Sequence, residues 1–310
     1  MRLSIITINY NSLENTIKLL ESLKNQTDKD FEVIVVDNNS HDVEKLMNYK
    51  TSENNPAQSN PADHQQKGRT LGGAGIIYIK NDRNLGFSGG NNIGIKKALE
   101  NGPDWVFLLN NDTWVESPFI ERLKPILEGR EGIVGLSIDE GDRTVFAGQI
   151  NWLKPTLSHI TTLNVVMTKS VDKLYAIGGA MLIHKSVFNK IGLLDESYFL
   201  YFEDADFCQR ARKAGIPVSF LPEIKISHSV SASTKKLGSP MLLRYHFRNA
   251  LYFNLKNGPF YIKLLVWPWS WFITIKQTIK TIAGKNKEQS AAILKGVGDW
   301  YTGRMGKLHD

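Results

Sequence analysis

Residues 105–112 read Trp105-Val-Phe-Leu-Leu-Asn-Asn-Asp112. Five apolar side chains in a row suit a short strand buried on both faces, and the run stops abruptly on two amides and a carboxylate. Three earlier segments have the same shape. Residues 3–8 (Leu-Ser-Ile-Ile-Thr-Ile) lead into Asn9-Tyr10-Asn11, residues 31–36 (Phe-Glu-Val-Ile-Val-Val) end on Asp37, and residues 76–79 precede the polar stretch 81–92. Helix signals lie between them. Asn11 with Glu14 three residues later reads as a helix start, and Leu13, Ile17 and Leu20 follow at helical spacing. Residues 86–94 read as a glycine-rich turn leading into a helix near 93–99. Ser117-Pro118 reads as the cap and first turn of another. Alternating apolar strands and helices predict an α/β fold with a mostly parallel sheet covered by helices on both faces.

In such a sheet the ligand crevice lies just beyond the carboxyl ends of the strands. Four polar positions converge there: 7–11, Asp37, 81–92 and 110–112. They suit a polar, phosphate-bearing ligand. The stretch Asn84-Leu-Gly-Phe-Ser-Gly-Gly-Asn-Asn-Ile-Gly94 permits close backbone approach before a helix N-terminus. It is not a dinucleotide fingerprint, because no G-x-G occurs, and not a P-loop, because Ile95 stands where lysine is required. A glycine-rich helix start with no ligand fits the same letters.

Asp112 either holds a divalent cation that also touches a diphosphate or closes an Asx turn. Glu203-Asp204-Ala-Asp206 follows the aromatic run 198–202 at a helix start. The carboxylates either complement the helix dipole or include a general base in an apolar-walled pocket, where burial raises a carboxyl pKa. His228 is either a metal ligand or a structural imidazole.

The rest of the chain is more mixed. Residues 50–73 are rich in Asn, Gln, Pro, Ser and Gly without apolar periodicity, and read as a long surface loop. Strands are expected at 145–150, 175–183, 218–221 and 224–226. Helices are expected at 185–190 and 203–213, the latter closed by Gly215. The single Cys208 and the start of the chain directly on a strand, with no leader, point to a reducing cytoplasmic setting.

Of 310 residues, 38 are Lys or Arg and 31 Asp or Glu, for a net charge of +7. Residues 241–310 hold 11 of the cations and 3 of the anions, so the remaining body is almost neutral. Within this basic segment, residues 259–282 place Trp267, Trp269 and Trp271 beside Lys263, Lys276 and Lys280, with Pro268 among them. The apolar run is too short to span a bilayer. It suits an amphipathic helix lying on an anionic membrane surface through residues 257–285. The alternative is a helix packed on the main body or on a second subunit, which would make a homodimer. No nucleic-acid partner is expected, since the surplus charge borders an apolar run.

Taken in order, these pieces resemble the family 2 glycosyltransferases of the GT-A fold, especially bacterial rhamnosyltransferase-like members. The resemblance rests on 4–11, 35–40, 84–94, 108–113, 177–183, 202–210, His228 and 244–253, and covers about residues 2–255. It implies inverting transfer of a sugar, with rhamnose from dTDP-rhamnose the favoured donor, to a hydroxyl of a lipid-linked oligosaccharide. The product would feed bacterial surface polysaccharide, and the enzyme would sit on the cytoplasmic face of the cell membrane. By carry-over, Thr7, Tyr10, Asn11 and Asp37 line the nucleoside pocket. Asn84, Gly86, Gly89, Gly90 and Asn92 shape the donor site, and Asn110, Asn111, Gly178, Gly179 and Glu203 complete the donor–acceptor site. Asp204 takes the place of the catalytic base. Asp112 and His228 take the places of the ligands to Mg²⁺ or Mn²⁺. Asn110 departs from the family's Asp-x-Asp, which weakens the expected hold on the cation.

The resemblance implies a GT-A domain over 1–240, with a nucleotide-sugar half (1–112) and an acceptor half (113–240), followed by a helical extension (241–310). A non-catalytic sugar-nucleotide-binding or membrane scaffold protein of the same fold is the alternative, though it has no need of both Asp204 and Asp112. A processive polysaccharide synthase is disfavoured by the lack of membrane spans and of a Gln-x-x-Arg-Trp motif.

Overall fold

The computed structural model describes residues 1–49, 69–154, 156–168, 171–229 and 239–308. The strands of the first half are β1 (Leu3–Asn9), β2 (Phe31–Asp37), β3 (Arg69–Leu71), β4 (Ala74–Lys80), β5 (Trp105–Leu109) and β6 (Thr113–Trp114). Those of the second half are β7 (Ile133–Asp139), β8 (Thr144–Val145), β9 (Ala147–Asn151), β10 (Thr156–Ile160), β11 (Leu174–Tyr175), β12 (Ala180–His184) and β13 (Val218–His228). The helices are α1 (Leu13–Lys24), α2 (Val43–Met47), α3 (Gly86–Glu100), α4 (Phe119–Leu127), α5 (Leu163–Thr168), α6 (Lys185–Ile191) and α7 (Glu203–Lys213). The C-terminal helices are α8 (Pro240–Asn257), α9 (Phe260–Ile282) and α10 (Lys287–Tyr301).

Among the described residues, ten strands form one sheet in the order β3-β4-β2-β1-β5-β12-β7-β13-β6, with β8 beside β7. The strands β4, β2, β1 and β5 are parallel, and so are β7 and β13. The antiparallel β12 joins the two groups. Side chains alternate across this sheet as the pleat requires. Trp105, Phe107 and Leu109 pack on the α1 and α4 side, and Val106 and Leu108 on the α3 and α7 side. The strands β9, β10 and β11 form a separate small sheet.

Several expectations are corrected. The glycine stretch is not a turn before a helix: α3 begins at Gly86 and includes it. Helical glycines here serve close packing. A Cβ on Gly94 would stand 2.5 Å from Ile6 Cγ2, and one on Gly90 would stand 2.9 Å from Asn38 Nδ2. Asn11 does not cap α1. It takes a left-handed φ of 49°, and Ser12 occupies the N-cap without a side-chain capping bond, its Oγ accepting instead from Asn15 Nδ2. Ser117 does not cap α4 either, since Pro118 stands at the N-cap. The amides of Phe119 and Ile120 instead donate to Gln26 Oε1, a cap supplied from the far end of α1.

The strand expected at 175–183 is broken by Gly178-Gly179 into β11 and β12, and 145–150 is broken into β8 and β9. The two short strands at 218–221 and 224–226 are one strand with an irregularity between Leu221 and Lys225. The loop expected at 50–73 lies, for residues 50–68, outside the described residues. Its last part is β3 with the turn Gly72-Gly73, hairpinned onto β4.

The three C-terminal helices share a core of Leu251, Val266, Ile273, Ile293, Val297 and Trp300. The helix α8 also packs into the body through Ala250 and Phe253. No helix is long and apolar enough to cross a membrane among the described residues.

Candidate active site

The parallel register places Asn9 beside Asp37, at the carboxyl ends of β1 and β2. Asn9 Nδ2 donates to Asp37 Oδ2 (2.7 Å) and to Ser40 Oγ (3.0 Å), and Thr16 Oγ1 donates to Asn9 Oδ1. The amide of Ser40 donates to Asp37 Oδ1. Asp37 is therefore fixed from both sides. Asn11 Oδ1 accepts from the His41 amide, and Tyr10 is 50% exposed above this pocket wall. Thr7 lies deeper: it is fully buried, and its hydroxyl has no hydrogen-bond partner. Asn11 and Asp37 thus meet around Ser40, with Tyr10 next to Asn11 in the chain, while Thr7 is enclosed in the core.

The donor-site residues expected on α3 play different parts. Asn84 Oδ1 accepts from the Gly86 amide and fixes the start of the helix. The left-handed φ of Gly86 (73°) lets its backbone meet Phe199, whose carbonyl accepts from the Phe87 amide at 2.7 Å. Gly89 and Gly90 are packed inward. Asn92 points away from the crevice. It donates to the Leu194 carbonyl and Glu196 Oε1, and accepts from the Leu194 amide. Asn92 therefore ties α3 to the segment that leads to Asp204.

Beyond β5, the three polar residues separate. Asn110 packs on Gly179: its amide donates to the Gly179 carbonyl, and a Cβ there would stand 2.6 Å from Asn110 Nδ2. Asn111 Nδ2 donates to Thr16 Oγ1. Asp112 Oδ2 faces His228 Nε2 at 3.2 Å, because β13 pairs antiparallel with β6 and brings His228 opposite Thr113. Glu140 Oε1 stands 3.9 Å from His228 Nδ1, a neighbour the sequence did not reveal. Burial pulls the imidazole pKa down, but the hydrogen bond and charge of Asp112 and the charge of Glu140 outweigh it and raise the pKa.

Among the described residues, no group of three His, Cys, Asp or Glu side chains could hold a metal ion alone. One carboxylate facing one imidazole, both largely buried, is still a fitting half-site. Mg²⁺ and Mn²⁺ bind through one or two carboxylates and complete their shell with substrate phosphates.

Asp204 sits one position into α7. Its Oδ2 accepts from the Gly178 amide (3.1 Å) and its Oδ1 from the Ala205 amide (2.8 Å). Gly178 is required here, since a Cβ would press on the Phe87 ring at 2.9 Å. Burial raises the Asp204 pKa to about 6 against the lowering effect of these amides. Next to it, Glu203 is 5% exposed, Oε2 has no partner, and burial together with the charge of Asp204 pushes its pKa well up. The charge of Asp204 and burial both disfavour ionisation of Glu203. Asp206 is different. It is fully buried, bonded to Arg210, Asn257 and Tyr198, and serves as a brace between α7 and α8.

The approach to Asp204 is held in an unusual conformation. Phe199, Tyr201 and Phe202 all have left-handed φ (62°, 70°, 75°). A non-glycine residue there costs on the order of 1 kcal/mol, so three in four positions need outside support. Asn249 Nδ2 supplies it, donating to the carbonyls of Tyr198, Leu200 and Tyr201. The fully buried Arg248 donates to the carbonyls of Ser197, Tyr198, Arg304 and Gly306. Both lie in the stretch 244–253 that the family resemblance took in, which gave them no role.

The family model for glycosyl transferase family 2 matches residues 4–192. The chain is 29% identical over 260 residues to the low-salt glycan biosynthesis hexosyltransferase Agl10 of Haloferax volcanii, covering 80% of this chain and 73% of that protein. It is 27% identical over 186 residues to the dTDP-rhamnosyl transferase RfbF of Shigella flexneri, covering 56% of this chain and 62% of that protein. A shorter match, 33% identical over 69 residues and 22% of each chain, is to the N-acetylglucosaminyl-diphospho-decaprenol L-rhamnosyltransferase of Mycobacterium tuberculosis. Among solved structures, the mannosyltransferase of Pyrobaculum calidifontis in complex with GDP-Man and Mn²⁺ superposes with a TM-score of 0.52 at 12% identity. That superposition covers 96% of this chain and 86% of that one, and is a likeness of fold.

Proposed function

The chain belongs to glycosyl transferase family 2 and is a glycosyltransferase of the GT-A fold; on that premise we propose an inverting transfer of rhamnose from dTDP-rhamnose to a hydroxyl of a lipid-linked glycan in bacterial surface polysaccharide synthesis. The observation that carries the catalytic reading is Asp204. It is a half-buried carboxylate with a pKa of about 6, oriented by two backbone amides. Such a group is ionised at neutral pH and still basic enough to accept a proton.

In the proposed reaction Asp204 takes the proton of the acceptor hydroxyl. The oxygen attacks the anomeric carbon from the side opposite the nucleoside diphosphate, a C–O bond forms, and the bond to the diphosphate breaks. One displacement inverts the anomeric configuration, and the proton leaves Asp204 for solvent. Asp37, Asn11 and Tyr10 would hold the nucleoside. Asp112 and His228 would hold Mg²⁺ or Mn²⁺, which when bound supplies positive charge against the leaving diphosphate. In this division residues 1–112 serve the donor, 113–240 the acceptor, and 241–310 form an extension that rests on the cytoplasmic face of an anionic membrane. Rhamnose is favoured by the similarity to RfbF, and a lipid-linked acceptor by the aromatic, lysine-flanked α9.

A donor screen scoring released nucleoside diphosphate with a short lipid-linked acceptor tests the reading. Turnover is expected with dTDP-rhamnose, and Asp204→Asn is expected to lower it about 10²–10⁴-fold while sparing donor binding. Near-normal turnover by Asp204→Asn would remove Asp204 as the base.

A further inference from the structure

A cavity of about 1100 Å³ has one lining residue, Asn84, in common with the residues expected at the donor site, and is otherwise lined by residues given no part in the reaction. One wall is Arg83, Asn84 and the Glu196–Phe199 side of the approach to Asp204, and the other is the end of α10 with the tail that follows it. The tail is tied in place by bonds from the Gly306 amide to the Ser197 carbonyl and from the Leu308 amide to Tyr245 Oη. Five cations line the cavity: Arg83, Arg244, Lys295, Arg304 and Lys307. Against them stand two carboxylates, Glu196 and Asp299. Asp299 is neutralised by Arg244, which donates to both its oxygens at 2.6 and 3.2 Å. Glu196 is engaged by Asn92 Nδ2. The cavity therefore keeps a surplus of three positive charges, in a volume that suits a ligand rather than scattered water.

Its position is as telling as its charge. Phe199 touches the start of α3 and stands five residues before Asp204. At the other rim, the tail leaves Tyr301, which packs on Trp267 of α9 with ring centroids 5.9 Å apart. Both rings are nearly half exposed, at 44% and 48%. The cavity is thus lined on one side by Phe199, in the segment that leads to Asp204, and on the other by Thr302, the residue after the exposed Tyr301.

We infer that this cavity binds the diphosphate that links the acceptor glycan to its lipid, with the lipid leaving over Tyr301 and Trp267 and the glycan reaching Asp204. The inference rests on the lipid-linked acceptor proposed above. It adds a second diphosphate site, separate from that of the donor at Asp112 and His228. Doubly charged diphosphate oxygens match lysine and arginine donors, and the prenyl chain matches the aromatic rim.

The test is calorimetric binding of farnesyl diphosphate and of inorganic pyrophosphate to the full chain, with EDTA present so that no metal-bridged donor site contributes. The wild type is expected to bind farnesyl diphosphate at least tenfold more tightly than pyrophosphate. Lys295→Glu/Lys307→Glu is expected to weaken farnesyl diphosphate binding tenfold or more, and Lys295→Gln/Lys307→Gln to fall between. Both lysines are exposed, so the graded loss reports charge and not folding. Equal binding by the wild type and both variants overturns the site. Equal affinity for the two probes overturns the lipid-linker assignment in favour of a free phosphate. Because neither probe carries a sugar, an enzyme that binds farnesyl diphosphate here but transfers nothing in the donor screen sinks the proposed reaction and leaves the site standing.

Discussion

Asp204 and Glu203 are adjacent carboxyls with different environments. Two amides hold Asp204 as an acceptor at a pKa of about 6, whereas Glu203 has a buried oxygen with no donor, and burial and the charge of Asp204 push its pKa well up. With one base titrating, kcat/KM should fall about tenfold per pH unit below about pH 6 and level off above about pH 7. A pH–rate profile with saturating metal measures this; a flat profile down to about pH 5 contradicts the assignment. The same shift has a cost in stability. The folded pKa lies above the ordinary aspartate value of 3.8, so the fold is most favoured when the group is protonated, and stability is lost as pH rises from about 3.8 through about 6. Asp204→Asn should therefore raise Tm by a few degrees at about pH 7.5, with the difference vanishing near pH 3, in a calorimetric series. At this scale, Asp204, Asp112 and His228 were readable as polar groups at the ends of apolar runs. Asn9 was readable only as one of the polar run 7–11 and not as the partner of Asp37, and Glu140 was not readable at all. Asn9 matters because β1 and β2 pair in the register that sets it beside Asp37, and Glu140 because β7 and β13 pair. Neither pairing is written in local sequence.

At the scale of elements, α3 shows why local reading stops short. Glycine disfavours helix by about 1 kcal/mol per residue, so the run at 86–94 reads as a turn. The helix forms because its glycines let it settle onto Ile6, Ile8, Val36 and Asn38, and tertiary packing outweighs propensity. This gives a paired prediction. Gly94→Ala gains about 1 kcal/mol of propensity but forces a Cβ to 2.5 Å from the buried Ile6, so it should cost about 1–2 kcal/mol net in denaturant unfolding. Gly298→Ala, in α10 with no atom within 4 Å of the new Cβ, should stabilise by about 0.5–1 kcal/mol. If both variants move in the same direction, the packing account of α3 fails. The α7 approach makes a second case. Asn249→Ala removes three bonds from carbonyls of a strained segment, so it should lower kcat about tenfold or more with little change in donor KM, which steady-state kinetics would show. That support comes from about fifty residues downstream. The aromatic run 198–202 was visible in the sequence, but not the side chain that holds it.

Across the whole molecule, the surplus charge and the apolar run come together on α9. Packing on the neighbouring helices accounts for one face of this helix, and the membrane contact proposed for it would fall to the other. Ile262, Val266, Ser270, Ile273 and Gln277 form a buried stripe against α8 and α10. On the opposite side Phe260, Leu264, Trp271, Phe272, Ile275 and Ile279 are all more than half exposed, with Lys263, Lys276 and Lys280 alongside. An apolar face of this extent with flanking lysines suits the membrane-interface contact proposed above. Deleting residues from 257 onward would not test it, because Leu251 of α8 would lose its partners Ile293, Val297 and Trp300. Trp271→Glu/Ile275→Glu leaves that core intact. On liposomes carrying anionic lipid, the wild type should float with the vesicles and the variant should stay behind. Added salt should weaken the wild type's attachment without abolishing it, since screening removes the lysine attraction but not the burial of aromatic surface. Wild-type protein that ignores vesicles and sediments as a dimer, with the double variant monomeric, would assign the same face to a second subunit instead.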